Sequence, residues 1–367
     1  MPPSLSQDRL VRKEVALGVV RGFEPPQNHI GLSLLAPWMD VDSDDQIFAY
    51  TRGLTAGLAP ARAEDSESEL AQKDDSVGTG RASLIDWALK DHFDPSDVSR
   101  YRESLIIGGL AGASSLPLTA GRMAEEFPTK LAQATRLRRR KLDNRMEWLI
   151  MQALETNGIV YNDGKIKFTV SYGRPTIQTT DVVGNLWSAS NADPIGDILA
   201  RQQYMLDNYG VNCSRAIVSK RIINNLIKTE KWTNSLVGSN PLYTVSGWGV
   251  DAVRTRVQAA TNLEFITYDS VYRTRAQGSN TTVNNRFLSD NKVILLPDAA
   301  DLEAIDDAIG FGRMLTSPHP EGNWTAGFYE WEKDTGPDPW GLDNGTGVKA
   351  FPVFPHMDLT YVFQVLA

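Results

Sequence analysis

Apolar residues recur at spacings of three, four and seven along Leu131, Ala134, Leu142, Met146, Leu149, Ala153 and Leu154, which places them on one face of a helix. The spacing predicts a helix over residues 128–156 with that face buried. Pro128 falls in the first turn, where its missing N–H costs nothing, and Asn157-Gly158 supplies residues that tolerate the left-handed turn at the C-terminus. At ~1.5 Å per residue this helix would run roughly 40 Å, enough to cross a whole domain. Period-two and β-rich runs predict strands at residues 46–52, 82–89, 159–161 and 165–170. The first two read as the root of an extended hairpin. Asn162-Asp163-Gly164 joins the last two with residues that accept the positive φ of a tight turn.

The remaining pattern orders the chain around that helix. Residues 8–17 are helical in period, and with Pro25-Pro26 and Pro37 the first forty residues read as an arm laid over another surface. Residues 64–80 are too polar and charged to build a core, so they read as the flexible tip of the hairpin. Asp94-Pro95 precedes a short helix capped by Ser96, and residues 106–113 are glycine-rich. A new unit begins near Trp187: helices at 194–208 (Asp193 as N-cap, Pro194 first, Gly210 after the end), 220–228 and 250–260, strands at 215–219, 263–268 and 292–296, and a polar loop at 280–285. After the segment 324–331 and a Gly/Asp/Pro-rich turn at 335–347, strands at 348–353 and 358–365 are expected to return to the first unit. The resulting class is α+β. The expected divisions are an arm (1–42), a hairpin loop (43–92), a helix-bearing domain (93–186), an α/β domain (187–320) and return strands (321–367).

With 367 residues and 41% hydrophobic content, the chain is long enough for substantial cores. Cys213 is the only cysteine, which excludes intramolecular disulfides and cysteine-rich zinc sites. No apolar run reaches the length of a membrane span and no secretory signal pattern opens the chain. A formal charge of −8 argues against general polyanion binding by the whole surface.

Candidate chemistry is sparse. Gly108, Gly109 and Gly112 match neither phosphate-loop spacing, and no cofactor is expected. His29, His92, His319 and His356 are not spaced as paired metal ligands on one helix. The most enzyme-like stretch is Tyr329-Glu330-Trp331-Glu332 with Asp338, since carboxylates beside aromatic platforms suit sugar hydrolysis. The alternation of a half-buried strand explains the same residues, with Glu330 and Glu332 on one side and Tyr329 and Trp331 on the other. The basic run Arg136-Leu137-Arg138-Arg139-Arg140-Lys141 admits three readings: a solvated face, nucleic-acid binding, or contact between subunits. The last pairs Arg138, Arg139 and Arg140 with the acidic Glu64, Asp65, Glu67 and Glu69 of the hairpin tip, so reversing the arginines is expected to impair assembly more than folding.

The run from Arg138 through Met146-Glu147-Trp148 to Gln152-Ala153-Leu154-Glu155-Thr156-Asn157-Gly158, the strand Ile166-Lys167-Phe168-Thr169-Val170 with Ser171-Tyr172-Gly173, and the entry at 187–197 resemble the lambda-type major capsid protein family of tailed bacteriophages. The resemblance implies the HK97-like phage capsid fold, with an N-terminal arm, an extended β-hairpin loop, a long spine helix (128–156) in a peripheral domain, and an α/β axial domain. It further implies a non-enzymatic shell subunit of the virion that assembles in the host cytoplasm into hexamers and pentamers around double-stranded DNA. Scaffold, portal and decoration proteins are the implied partners, and no membrane is involved. The hairpin tip is longer and more acidic than the family pattern, and no lysine–asparagine pair stands out for covalent cross-linking. An encapsulin-like shell, and a carbohydrate-active enzyme using Glu330, Glu332 or Asp338, are the alternatives.

Overall fold

The computed structural model describes residues 13–51, 77–94, 118–226, 250–275, 281–298, 301–302, 311–335 and 341–367, apart from 25, 27, 163–165 and 190. Within the arm, the described residues carry helix α1 (Lys13–Arg21), a π-helical turn (Gly31–Leu35) and β1 (Trp38–Asp40). Strands β2 (Asp45–Thr51) and β3 (Val77–Ser83) pair antiparallel as a two-stranded ribbon. The expected return strand at 82–89 is thus divided. Its first residues finish β3, and the rest belongs to β4 (Ile85–Phe93), which joins another sheet after Leu84. The predicted helix at Ser96, the glycine-rich piece and the acidic tip lie outside the described residues.

Helix α2 spans Leu118–Thr156, 39 residues and roughly 58 Å at the standard rise. Its start corrects the predicted boundary, since Pro128 lies inside the helix. One proline removes a single ladder bond, and the flanking Ala, Glu, Met, Arg and Leu residues favour helix on both sides of it. The end is as predicted: Asn157 takes φ 60°, and its side chain bonds both the N–H and the carbonyl of Arg174. The Arg174 guanidinium in turn donates to the terminal carbonyl of Leu154 at 2.8 Å. Burial pushes the Arg174 pKa down to about 9.

Strands β5 (Gly158–Asn162) and β6 (Lys167–Ser171) form the predicted hairpin. The α/β unit follows with β7 (Asp181–Val182), α3 (Pro194–Tyr209), β8 (Cys213–Val218), α4 (Lys220–Leu226), α5 (Val250–Thr261) and β9 (Glu264–Thr267). Asp193 caps α3 by accepting from Gly196 N–H, and Gly210 closes it at φ 68°. Strands β10 (Val271–Arg275) and β11 (Thr282–Arg286) pair as a second ribbon, so much of the expected polar loop at 280–285 is strand. Next come β12 (Lys292–Pro297), β13 (Arg313–Thr316), β14 (Phe328–Asp334), β15 (Leu342–Val353) and β16 (Tyr361–Gln364).

Two five-stranded sheets carry the molecule. In the first, β15 runs through the middle. β4 lies along one edge (Leu342↔Phe93 to Ala350↔Ile85), while β14 and then β13 follow each other along the opposite edge, with β1 outside β13. The expected turn at 335–347 is therefore shorter, because Leu342 to Gly347 are already strand. The second sheet has the order β7-β16-β12-β8-β9. Here the return-strand expectation is corrected: β15 joins the first unit, but β16 inserts between β7 and β12 of the α/β unit. The reason is hydrophobic. Tyr361, Val362 and Phe363 are buried, and Tyr361 and Phe363 pack with Trp187, Val293 and Leu295 in the core of that unit. The other core joins α2, the arm, β5 and the first sheet through Met146, Leu149, Ile150, Leu154, Val348 and Phe351.

Candidate functional site

Between Leu131 and Leu142 the buried face of α2 is polar. Thr135, Arg138 and Arg139 occupy it, at 3%, 1% and 5% exposure. The sheet beneath supplies matching groups. On β15, Asn344 and Thr346 face α2, whereas Gly345 and Gly347 face the other way under the rings of Trp331 and Tyr329, which leave no room for a Cβ. Arg138 donates through Nε to the Thr346 hydroxyl at 3.0 Å, through Nη1 to Asp91 at 2.7 Å, and through Nη2 to Thr135 at 2.9 Å and to Asn344. Glu330 lies 3.4 Å from the same Nη2 and accepts from the Thr135 hydroxyl at 3.0 Å. One guanidinium thus spans three strands and serves two carboxylates, one of them buried. Arg139 turns to the arm. It pairs with Asp143 at 3.0 Å, donates to Val20 carbonyl at 3.0 Å, and lies 3.2 Å above the Phe328 ring. Burial holds the Asp143 carboxyl above the usual carboxylate range, against the pull of Arg139.

Two turns further along α2, Glu147 is fully buried. It accepts from the backbone N–H groups of Gly31 and Leu32 at 3.0 and 3.1 Å and from the Tyr268 hydroxyl at 2.8 Å. Three separate parts of the chain, arm, spine helix and α/β unit, therefore meet at one carboxylate. Burial raises its pKa in spite of these three donors. Gly31 is required at that contact, since a Cβ there would stand 2.6 Å from Glu147 Oε2.

Of the basic run, Arg136, Arg140 and Lys141 remain exposed, with Arg140 over the Phe23 ring at 5.5 Å. The expectation of one solvent-facing basic patch is corrected for Arg138 and Arg139, which the helical period turns inward onto partners in their own chain. The acidic Glu64, Asp65, Glu67 and Glu69 lie outside the described residues, so nothing brings the two sets together here. Beside Lys141 opens a cleft of about 500 Å³ between α2, β4, the β5–β6 hairpin and β10. Trp87, Trp148 and Tyr161 wall it around the Arg145 guanidinium, which sits 5.2–5.7 Å from all three ring centres. Arg273 stands on its rim.

Comparison with family models finds a match to Phage major capsid protein E over residues 50–311. The chain belongs to that family. Among solved structures it is similar to the putative capsid protein of a prophage from E. coli CFT073, at 13% identity and TM-score 0.59 over 97% of this chain and 99% of that one. A phage-related protein from Bordetella bronchiseptica RB50 is similar at 14% identity and TM-score 0.50, over 96% of each chain. No curated protein matches by sequence. The fold is the HK97-like capsid fold, and the protein is a phage major capsid protein, a structural component of the virion.

In this capsid protein the enzyme-like stretch has a structural use. The strand alternation predicted for it is present, but α2 covers the Glu330 side, and Glu330 is held at 4% exposure by Thr135 and Arg138. Asp338 lies outside the described residues. The histidines are dispersed: His29 packs edge-on to Phe287, His92 bonds Asp343 at 2.8 Å, His319 stacks on Tyr329, and His356 is buried. Among the described residues no group of three or more His, Cys, Asp or Glu side chains is placed to hold a metal ion, and no helix is long and apolar enough to cross a membrane.

The capsid protein also carries an unusual loop. Between β13 and β14, residues 317–327 leave the edge of β15 and return to it. Asn323 and Trp324 are both left-handed, at φ 59° and 56°, and a non-glycine residue so held costs on the order of 1–3 kcal/mol. The loop is nonetheless tied down. Arg21 donates to Phe328 and Gly322 carbonyls and to the Thr325 hydroxyl, and Trp324 N–H bonds His319 carbonyl at 3.1 Å. The Trp324 side chain is 72% exposed.

Proposed function

We propose that this capsid protein tiles a closed icosahedral shell as hexamers and pentamers, enclosing double-stranded DNA without reading its sequence and without enzymatic activity of its own. The observation that carries the reading is the β2–β3 ribbon, which pairs with no third strand among the described residues. A lone hairpin is marginal in water, so its stable form is one laid on a neighbouring subunit. The acidic residues 64–69, between its two strands in sequence, suit the exposed Arg136, Arg140 and Lys141 of that neighbour. Each such pair is worth only ~0.2–1 kcal/mol, so the effect resides in repetition over many copies. Assembly belongs in the host cytoplasm, with scaffold, portal and decoration proteins as partners. A surface of net charge −8 would not grip packaged phosphates.

Negative-stain electron microscopy and sedimentation of the expressed protein, alone and with its neighbouring genes, test this reading. Closed shells or hexamer and pentamer rings are expected, and a compact monomer under both conditions would overturn it. For the charge pairing, Arg140→Glu is expected to lower shell yield while leaving subunit stability within about 0.5 kcal/mol. Reversal of Glu64, Asp65, Glu67 and Glu69 to lysine should restore assembly, and failure of that rescue would rule out the pairing. Protein cargo in place of DNA inside purified shells would favour the encapsulin-like alternative.

A further inference from the structure

Trp324 and the aromatic cleft are complementary features on different sides of one subunit. The loop carrying Trp324 lies off the β13–β14 edge of β15, and the cleft opens beside β4, on the opposite edge. The backbone that presents Trp324 is left-handed at two consecutive residues and tied by Arg21, so the exposed indole projects from a fixed base. Large exposed aromatics on rigid backbone are the commonest anchors of protein interfaces, because they bring much apolar area at little entropic loss. The cleft offers what an indole needs: three aromatic walls, a guanidinium for its π face, and about 500 Å³ of space. Charge agrees as well. Lys141, Arg145 and Arg273 outweigh Asp86 in the cleft lining, and Glu321 stands three residues from Trp324 in the same loop.

We propose that Trp324 of one subunit seats in the Trp87–Trp148–Tyr161 cleft of a second copy of this chain, forming a heterologous contact that propagates between subunits. Such a head-to-tail contact closes rings when its rotation permits, as a shell requires. The inference rests on the shell reading above, but it concerns one knob and one socket.

The test uses the full chain under the conditions that give wild-type assembly. Trp324→Ala should raise the protein concentration needed for assembly at least about tenfold, with circular dichroism and thermal midpoint unchanged because the side chain is exposed. Trp324→Phe should lose less. Replacement of Trp324 by the photoreactive aromatic benzoylphenylalanine should, on irradiation of the assembled protein, give covalent dimers whose cross-links map by mass spectrometry to the cleft lining, residues 86–89, 141–148, 161, 166 or 272–274. Wild-type assembly by Trp324→Ala, or cross-links that map elsewhere on the chain or onto another protein, would overturn the contact. Should the wild-type chain form rings or small oligomers in place of shells, the cross-link is read on those, so the knob and the shell are judged separately. A chain that is only monomeric would sink both.

Discussion

Replacing Arg138 with alanine removes the cation at the centre of the α2–sheet network. Four of its partners are affected unequally. Asp91, with 43% of its side chain exposed, returns to water at little cost. Thr346 and Asn344, at 0% and 3% exposure, each lose a charge-assisted bond. Glu330 is left in the interior with the Thr135 hydroxyl as its remaining donor from this network. Breaking a buried pair by deleting one member typically costs about 3–5 kcal/mol. We expect that loss for Arg138→Ala in urea unfolding of the dilute subunit followed by circular dichroism, with an unchanged denaturant slope. Arg140→Ala, two residues away but exposed, should stay within about 0.5 kcal/mol. The double variant Arg138→Met, Glu330→Leu should recover at least half of the loss, because it removes both members of the buried pair and fills the space with apolar atoms. A cost for Arg138→Ala below about 1 kcal/mol, or a double variant as unstable as the two single losses added, would refute the reasoning.

Glu147 gives a pH signature. Its carboxyl binds a proton more tightly in the folded chain than in the unfolded one, so between the unfolded carboxylate range and its raised folded value the native state holds more protons, and stability from this group falls as pH rises through that window. Urea midpoints measured across this window should therefore depend less on pH in Glu147→Gln than in the wild type, and equal slopes would contradict the assignment. Gly31→Ala drives a Cβ to 2.6 Å from Glu147 Oε2 and 3.0 Å from Ile150 Cγ2, an overpacking expected to cost about 1–3 kcal/mol. Limited proteolysis should then cut the arm faster than in the wild type.

What could be read from the chain was local and periodic. Asp193, Pro194 and Gly210 bound α3 as written, because capping acts within a turn of the residues concerned. The β5–β6 hairpin was legible for the same reason. Pro128 misled because the cost of one lost ladder bond is small against a helix that continues on both sides. The basic run misled because composition outweighed phase: Arg138 and Arg139 continue the same face as Leu131, Leu142 and Met146, and counting by three and four through the charges would have turned them inward. Polar residues in β15, where a covered sheet is normally apolar, were the second available signal for the network. The pairing of β4 with β15 and the insertion of β16 into the α/β sheet join residues far apart in sequence, and no local pattern encodes such partners.

The placement of β15 and β16 sets a timetable for biosynthesis. Each is an interior strand of its sheet, and they are the last two strands in chain order among the described residues. A growing chain that has already exposed its arm, hairpin and spine helix still lacks the middle of both sheets, so neither core can close. Both sheets therefore complete late and together, once these two neighbouring strands are in place.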